Sequence, residues 1–295
     1  MYWHSQTPPP LILQCLQTFR HHNPHHTVTL LNTTHLSPYP PPPNFSSLTL
    51  AHQSDWNRLT YIIEHGGTYV DASCVCLEPI ETWVDYEEER VQGWKSPFAR
   101  KDANMEIWSF TSPPNSPFLL KWRSHLESAI KKGFVPYCDS RTDSEKGSEL
   151  KGRLPYLTTN LCWRLANIDS PDSCVIKESN FDSGPLTFLE KYDWDTGKVI
   201  RDLMKNNNVD VKGVPFLKFR GKEREGIIGM IERGNYNVEA TLPRLLRLQE
   251  SKKRERPVED HKKLGFGGIM ERMETNTTVV PRKKKKKKKT TTADA

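Results

Sequence analysis

The sequence predicts an α/β fold. Strand-like segments alternate with segments of helical period over the first 250 residues. A helix ending near residue 65 is followed within two or three residues by the strand TYVDAS, the short connection typical of compact α/β units. The chain has 295 residues and a hydrophobic fraction of 35%, low but sufficient for one core of moderate size.

The elements follow in order. After Pro8 to Pro10, the residues Leu11, Leu13, Cys15, Leu16 and Phe19, closed by Asn23-Pro24, predict a helix. TVTLL (27–31) reads as a short buried strand, and the five prolines between Ser37 and Asn44 demand an extended loop. A helix over 53–65 turns Leu59, Ile62 and Ile63 inward, and His65-Gly66-Gly67 stops it, because glycine takes the left-handed conformation at a helix end. EIWSF (106–110) is a strand. Ser116 to Lys132 is a helix through Phe118, Leu119, Trp122, Leu126 and Ile130. The polar segment 139–152 reads as a mobile loop. Beyond it come a helix over 154–167, the strand SCVIK (173–177), a helix over 196–206, the strand GVPFLKF (213–219) and a closing helix over 237–249.

Charge divides the chain at about residue 250. The formal net charge is +7, but residues 251–295 carry +9 and residues 1–250 carry −2. The tail includes seven adjacent lysines, Lys283 to Lys289, which repel one another and cannot be buried. The expected organisation is therefore a folded domain over 1–250 and a disordered basic tail over 251–295, able to touch anionic membrane or nucleic acid. The folded part, being slightly acidic, gives no sign of a nucleic-acid-binding core. Six scattered cysteines form no CxxC pair and read as reduced, mostly buried thiols, which fits a reducing compartment. No segment approaches the ~18 apolar residues of a membrane span. MYWHSQTPPP lacks the basic and apolar regions of a signal peptide. These features read as a cytoplasmic protein, compatible with peripheral membrane attachment and without excluding the secretory pathway. The Asn-x-Ser/Thr triplets at Asn32, Asn44 and Asn276 match the number expected by chance in a chain rich in Ser and Thr.

The informative window is Asp55-Trp-Asn-Arg58 followed by Glu64-His-Gly66-Gly67-Thr-Tyr69-Val-Asp71-Ala-Ser73. On a helix, Asp55 and Arg58 share a face. A carboxylate there accepts hydrogen bonds from sugar hydroxyls, and a guanidinium holds a hydroxyl or a phosphate oxygen. Asp71 falls at the carboxyl end of a strand, where open α/β sheets bind ligands. If a nucleoside diphosphate leaves a sugar carbon here, charge builds on its phosphates, and a strand-end aspartate is a reasonable anchor for a metal that neutralises it. Each residue alone also has a structural reading: Asp55–Arg58 as a surface ion pair, Gly66-Gly67 as a helix stop, Asp71 as a turn cap. Their conjunction in one short window favours a site.

The string SDWNRLTYIIEHGGTYVDASCVCLEPI resembles the capsular polysaccharide synthesis family of glycosyltransferases, with a Ser-Asp-x-x-Arg helix and a Gly-Gly-x-aromatic-x-Asp-Ala-Ser strand. More distantly it is similar to sugar transferases that share a DxD motif, among them Och1-like mannosyltransferases and the glucosylating clostridial toxins. The flanks YWHSQTPPPLILQCLQTFRHHNPHHTVTLLN and NMEIWSFTSPPNSPFLLKWRSHLESA are similar to the family's opening and to its segment after the motif, and Asp182-Ser-Gly184-Pro185 is loosely similar to a late Gly-Pro element. The resemblance spans roughly residues 2–220 and implies a GT-A-like nucleotide-sugar-binding domain with a mixed central sheet flanked by helices.

It also implies roles. Asp55 and Arg58 grip the donor sugar, Gly66 and Gly67 let the backbone turn close to it, and Tyr69 packs beside the nucleotide. Asp71 contacts ribose or sugar and reaches a metal, Mn2+ or Mg2+, through water. A strict DxD would place an acid at 73. Ser73 stands there instead, so the motif is only DxD-like and the expected divalent cofactor is weakly held. The implied reaction is transfer of a hexose from a UDP- or GDP-sugar to a glycan or lipid-linked acceptor in polysaccharide biosynthesis, with retention of configuration. No catalytic base can be named. A degenerate, non-catalytic member that binds sugar nucleotide or glycan is the alternative, and an electrostatic tether acting through the tail is a third.

Other clusters have bland readings. His21, His22, His25 and His26 make a solvated turn or a metal site, and Glu87 to Glu89 a solvated helix face rather than a general base. Trp94, Trp108 and Trp122 are core aromatics or an acceptor-sugar platform.

Overall fold

The structure, a computed structural model, describes residues 1–96, 104–179 and 184–249. The expected basic tail (251–295) and the residues Asp182 and Ser183 of the Gly-Pro element lie outside the described residues.

The observed architecture is α/β. In chain order the elements are α1 (Pro10–His22), α2 (Thr33–Leu36), α3 (Leu50–His65), β1 (Gly67–Val70), β2 (Cys74–Cys76), β3 (Val91–Lys95), β4 (Met105–Ser112), α4 (Pro117–Lys132), α5 (Phe134–Asp139), α6 (Asp143–Leu150), α7 (Thr158–Asp169), β5 (Cys174–Lys177), α8 (Thr187–Lys191), α9 (Thr196–Lys205), β6 (Phe216–Lys218), α10 (Gly221–Glu232) and α11 (Thr241–Leu245). The main sheet has the order β1-β4-β3-β5 and is mixed. Strands β1 and β3 run antiparallel to β4, whereas β5 runs parallel to β3. Strands β2 and β6 form a separate antiparallel pair.

Two apolar clusters flank this frame. One gathers Trp56, Leu59, Ile62 and Ile63 of α3, Trp122 and Leu126 of α4 and Trp163 of α7 against Tyr69 and Phe110. The other gathers Leu11 and Phe19 of α1, Val75 of β2, Phe216 of β6 and Val199 and Leu203 of α9 against Val70. Tyr69 pairs with Phe110 across β1 and β4, and Val70 lies one residue on. Alternation along the strand therefore sends its side chains to opposite clusters.

Helix α3 starts with the Thr49 hydroxyl accepting from the His52 amide. It stops at Gly66, whose φ of 66° suits glycine, and whose Cα faces Pro114 so closely that an added Cβ would lie 2.7 Å from the proline Cδ. The chain then enters β1 directly, as the short connection predicts.

Several expectations require correction. The TVTLL strand is reduced to one parallel bridge between Leu31 and Tyr2, beside which the Met1 amine donates to the Thr29 carbonyl, and no ladder continues over residues 27–30 among the described residues. The segment 139–152 contains helix α6, started by reciprocal hydrogen bonds between Thr142 and Glu145 and kinked at Gly147, where φ is 66°. Glu87 to Glu89 lie in a turn, where Glu88 pairs with Arg90 at 2.7 Å. The closing helix is only α11. Strand β3 and helix α10 were not expected. Each contains a glycine in a close contact: a Cβ on Gly93 would meet the Met105 sulfur, and one on Gly226 would meet Ile200.

Candidate functional site

A cavity of about 460 Å³ opens where the carboxyl end of β1 meets α3, the start of β4, the α6–α7 region and the start of α10. A second hollow of about 250 Å³ adjoins it and shares Ala51, Arg58, Asp71 and Arg224 as walls. The two form one cleft with Arg58 and Asp71 at their junction.

The buried centre is built from α3 outward. Asp55 and Arg58 lie one turn apart and are 7% and 5% exposed. Their ion pair measures 3.0 Å. The other Asp55 oxygen accepts from the Thr159 hydroxyl at 2.7 Å. Arg58 is almost wholly engaged within the protein. Its Nε and one Nη donate to the Ser54 carbonyl and hydroxyl, and the other Nη donates to the Ile107 carbonyl at 2.8 Å. The guanidinium also lies 4.7 Å from the Tyr69 ring centre and 3.4 Å from Asp71. Burial pushes the Asp55 carboxyl up, with Arg58 and Thr159 pulling against it. Arg58 itself is held more firmly protonated by Tyr69, Asp71 and Asp55, despite the opposing cost of burial.

Asp71 continues the β1 ladder, its amide donating to the Trp108 carbonyl at 2.9 Å. One carboxylate oxygen accepts from the Tyr69 hydroxyl at 3.0 Å and faces Arg58. The other pairs with the ammonium of Lys218, on β6. Burial alone would raise this carboxyl, but Lys218, Arg58 and Tyr69 together bring it to about 2. The Lys218 ammonium also lies 5.1 Å from the Trp108 ring centre. Strand β6 reaches Asp71 because Ser73 and Phe219 extend the β2–β6 ladder. The Phe219 amide donates to the Ser73 carbonyl, and the Ser73 hydroxyl donates to the Phe219 carbonyl at 3.0 Å. Lys218 donates its amide to the Pro185 carbonyl, so the described half of the Gly-Pro element abuts β6.

Glu106, at the start of β4, also lines the cavity. Burial pushes its carboxyl up, against hydrogen bonds from Ser96 and Trp108 and the charge of Lys218. Asp71 and Glu106 therefore share one cleft with affinities for protons driven in opposite directions, an arrangement suited to one fixed anion and one proton-handling group.

The structure thus brings Asp55, Arg58 and Asp71 to the cleft. Tyr69 is buried behind Asp71, which it orients. Ser73 borders the smaller hollow with its hydroxyl committed to the backbone. Gly66 and Gly67 sit at the far end of β1 and line neither hollow, so the close backbone approach at Gly66 is to Pro114. Trp108 lines the cavity, whereas Trp94 and Trp122 belong to the two apolar clusters. Among the four histidines, His26 bonds Glu81 at 2.6 Å and His21 faces Arg247.

Lys218, Arg220, Arg224, Glu106 and Asn104, all on the cavity wall, are not among the residues that the motif window singles out. A signal for the first three was present. Lys218-Phe-Arg220-Gly-Lys-Glu-Arg224 places cations at a strand end and through a helix start, the geometry of an anion site.

The donor set fits the expected divalent ion poorly. Both oxygens of Asp71 are occupied, one by a lysine ammonium, and Ser73 is turned away. Among the described residues no three His, Cys, Asp or Glu side chains converge as a metal site. Magnesium and calcium require several oxygen ligands, which this corner does not assemble.

Fold and site together define an α/β protein with a charged cleft at the end of a sheet strand. Residues 2–133 match the family model of the capsular polysaccharide synthesis proteins, in agreement with the resemblance carried by the Asp55 to Ser73 window. No curated protein matches the chain. Among solved structures it is similar to the PaToxG glycosyltransferase, at 14% identity and a TM-score of 0.33, over 58% of this chain and 76% of that one.

Proposed function

We propose that the chain is a glycosyltransferase that takes a hexose from a nucleoside-diphosphate sugar and passes it to a glycan or lipid-linked acceptor in polysaccharide synthesis. The observation that carries this reading is the position of Asp71. It lies within the residues that match the capsular polysaccharide synthesis family, at the carboxyl end of a sheet strand, in a cavity of about 460 Å³ lined by both carboxylates and cations.

In this reading the GT-A-like sheet presents Asp71 to donor hydroxyls, and Arg58 and Tyr69 hold its carboxylate in place. Asp55 fixes Arg58 in turn. The cationic wall stabilises charge on the departing diphosphate. Glu106 is the group placed to exchange a proton with the acceptor hydroxyl. Retention of configuration follows from the family resemblance. The saturated hydrogen bonding of Asp71 favours one second reading, a non-catalytic member that binds sugar nucleotide or glycan without transfer.

Release of nucleoside diphosphate from a panel of UDP- and GDP-sugars by the purified chain, alongside Asp71→Ala, tests the proposal. Turnover of one donor that disappears in the variant is expected. Donor binding by calorimetry with no turnover would leave the non-catalytic reading, and absence of both would remove the donor site. The anomeric configuration of the product, read by NMR, tests retention.

A further inference from the structure

We infer that the donor diphosphate is held by Lys218 and Arg224, at the start of α10, in the place a divalent cation would take. This inference rests on the donor-site reading above and names the groups that bind the phosphates.

Lys218 already takes the Asp71 oxygen that a metal would need. Its ammonium pairs with one carboxylate oxygen while the Tyr69 hydroxyl and Arg58 fill the other. The Lys218 side chain is 9% exposed. An ion approaching Asp71 would have to displace a cation held in a nearly dry corner and meet its charge at short range. The second position of the DxD-like motif offers no help, since Ser73 donates to Phe219.

The phosphates need cations, and the cleft supplies them from the other end of the chain. Arg224 lines both hollows. Its guanidinium lies 5.5 Å from the Trp3 ring centre, and among the described residues it has no carboxylate partner. A guanidinium in this setting keeps its forked donors for a ligand, and phosphate is the anion that fork matches best. Arg220 and Gly221, also on the cavity wall, begin the 12-residue helix α10, whose amino end adds partial positive charge toward the same space. Arg220 is itself tied to Glu223, which leaves Arg224 as the freer of the two.

An independent mark of a ligand stands on the same wall. Asn104 is 4% exposed and lines the cavity, yet its Oδ1 is buried without a hydrogen-bond partner among the described residues. A buried acceptor left unsatisfied is costly, and a ligand hydroxyl would satisfy it. Cations toward α10 and an orphan acceptor just before β4 suit a ligand with phosphate at one end and hydroxyls at the other.

The test is calorimetric titration of the full chain with UDP and with GDP, once in EDTA and once in Mn2+, repeated for Lys218→Gln and Arg224→Gln. Binding of one nucleotide with equal affinity in both buffers, weakened about tenfold or more in Arg224→Gln, is expected. Among the described residues the Arg224 guanidinium has no carboxylate partner and only stacks near Trp3, so this variant remains informative even if Lys218→Gln unfolds; thermal melts of both monitor folding. Binding seen only with Mn2+, or unchanged in Arg224→Gln, would overturn the inference and leave the donor reading standing. Absence of binding in every buffer would overturn both.

Discussion

At the scale of single residues, the motif that stands out in the sequence proves to be a buried charge chain more than an open set of sugar ligands. Asp55 holds Arg58, Arg58 holds Asp71, and Lys218 closes the chain from β6. Removing one member strands its partner in a dry site. Arg58→Ala or Asp55→Ala is expected to lose about 3–5 kcal/mol of unfolding free energy by urea denaturation. The apolar double variant Asp55→Leu/Arg58→Met should lose clearly less than the sum of the two single changes, and additive losses would argue against coupling of the pair. Asp71 makes a further prediction. Its folded carboxyl lies at about 2, below the unfolded value of about 3.9. The stabilisation it contributes, on the order of 2 kcal/mol, is therefore complete above about pH 4 and lost as pH falls through about 2. Asp71→Asn should flatten that part of the acid-denaturation curve, and an unchanged curve would mean that its ion pairs do not form.

At the scale of elements, the Gly66 turn separates architecture from binding. The resemblance implied that Gly66 brings backbone close to the donor; the structure packs it against Pro114, away from the cleft. Gly66→Ala should lower stability by about 1–3 kcal/mol through its left-handed backbone and the proline contact, while donor affinity of the folded protein stays within about twofold. A selective loss of affinity would instead place Gly66 at the donor. The long helices α3 and α4 were legible because each carries an apolar stripe and a clear stop. Helix α6 is hard to read from sequence although Thr142 and Glu145 spell a capping box, because its polar composition resembles a loop. Helix α10 was hidden by Gly226 and Gly229. Gly226 permits close approach of Ile200, a tertiary reason that local propensity does not record. Lys218 was hidden by its neighbours: Phe216, Leu217 and Phe219 mark a core strand, and only the pairing of β6 with β2 aims the lysine at Asp71.

At the scale of the whole molecule, the site draws on both halves of the chain, and this explains why the motif was legible and the cleft was not. Asp55, Arg58 and Asp71 lie in one short window, whereas Lys218 and Arg224 join it only through the fold. The charge division at about residue 250 makes a separate prediction. Deleting residues 251–295 should remove net charge of +9 and abolish salt-sensitive binding to anionic vesicles, leaving the melting temperature and any donor turnover unchanged. Persistence of vesicle binding would assign it to the folded part. Among the described residues no helix is long and apolar enough to cross a membrane.

The pair between Lys218 and Asp71 joins residues 147 apart in the chain. On a ribosome elongating at roughly 5–20 residues per second, the carboxylate emerges about 7–30 s before the ammonium that settles it. Throughout that interval the nascent chain carries Asp55, Arg58 and Asp71 with one cation among two carboxylates. A ribosome stalled in that interval after residue 133 has emerged would display all of residues 2–133, the stretch that matches the family, without the cleft in which those residues meet their partners.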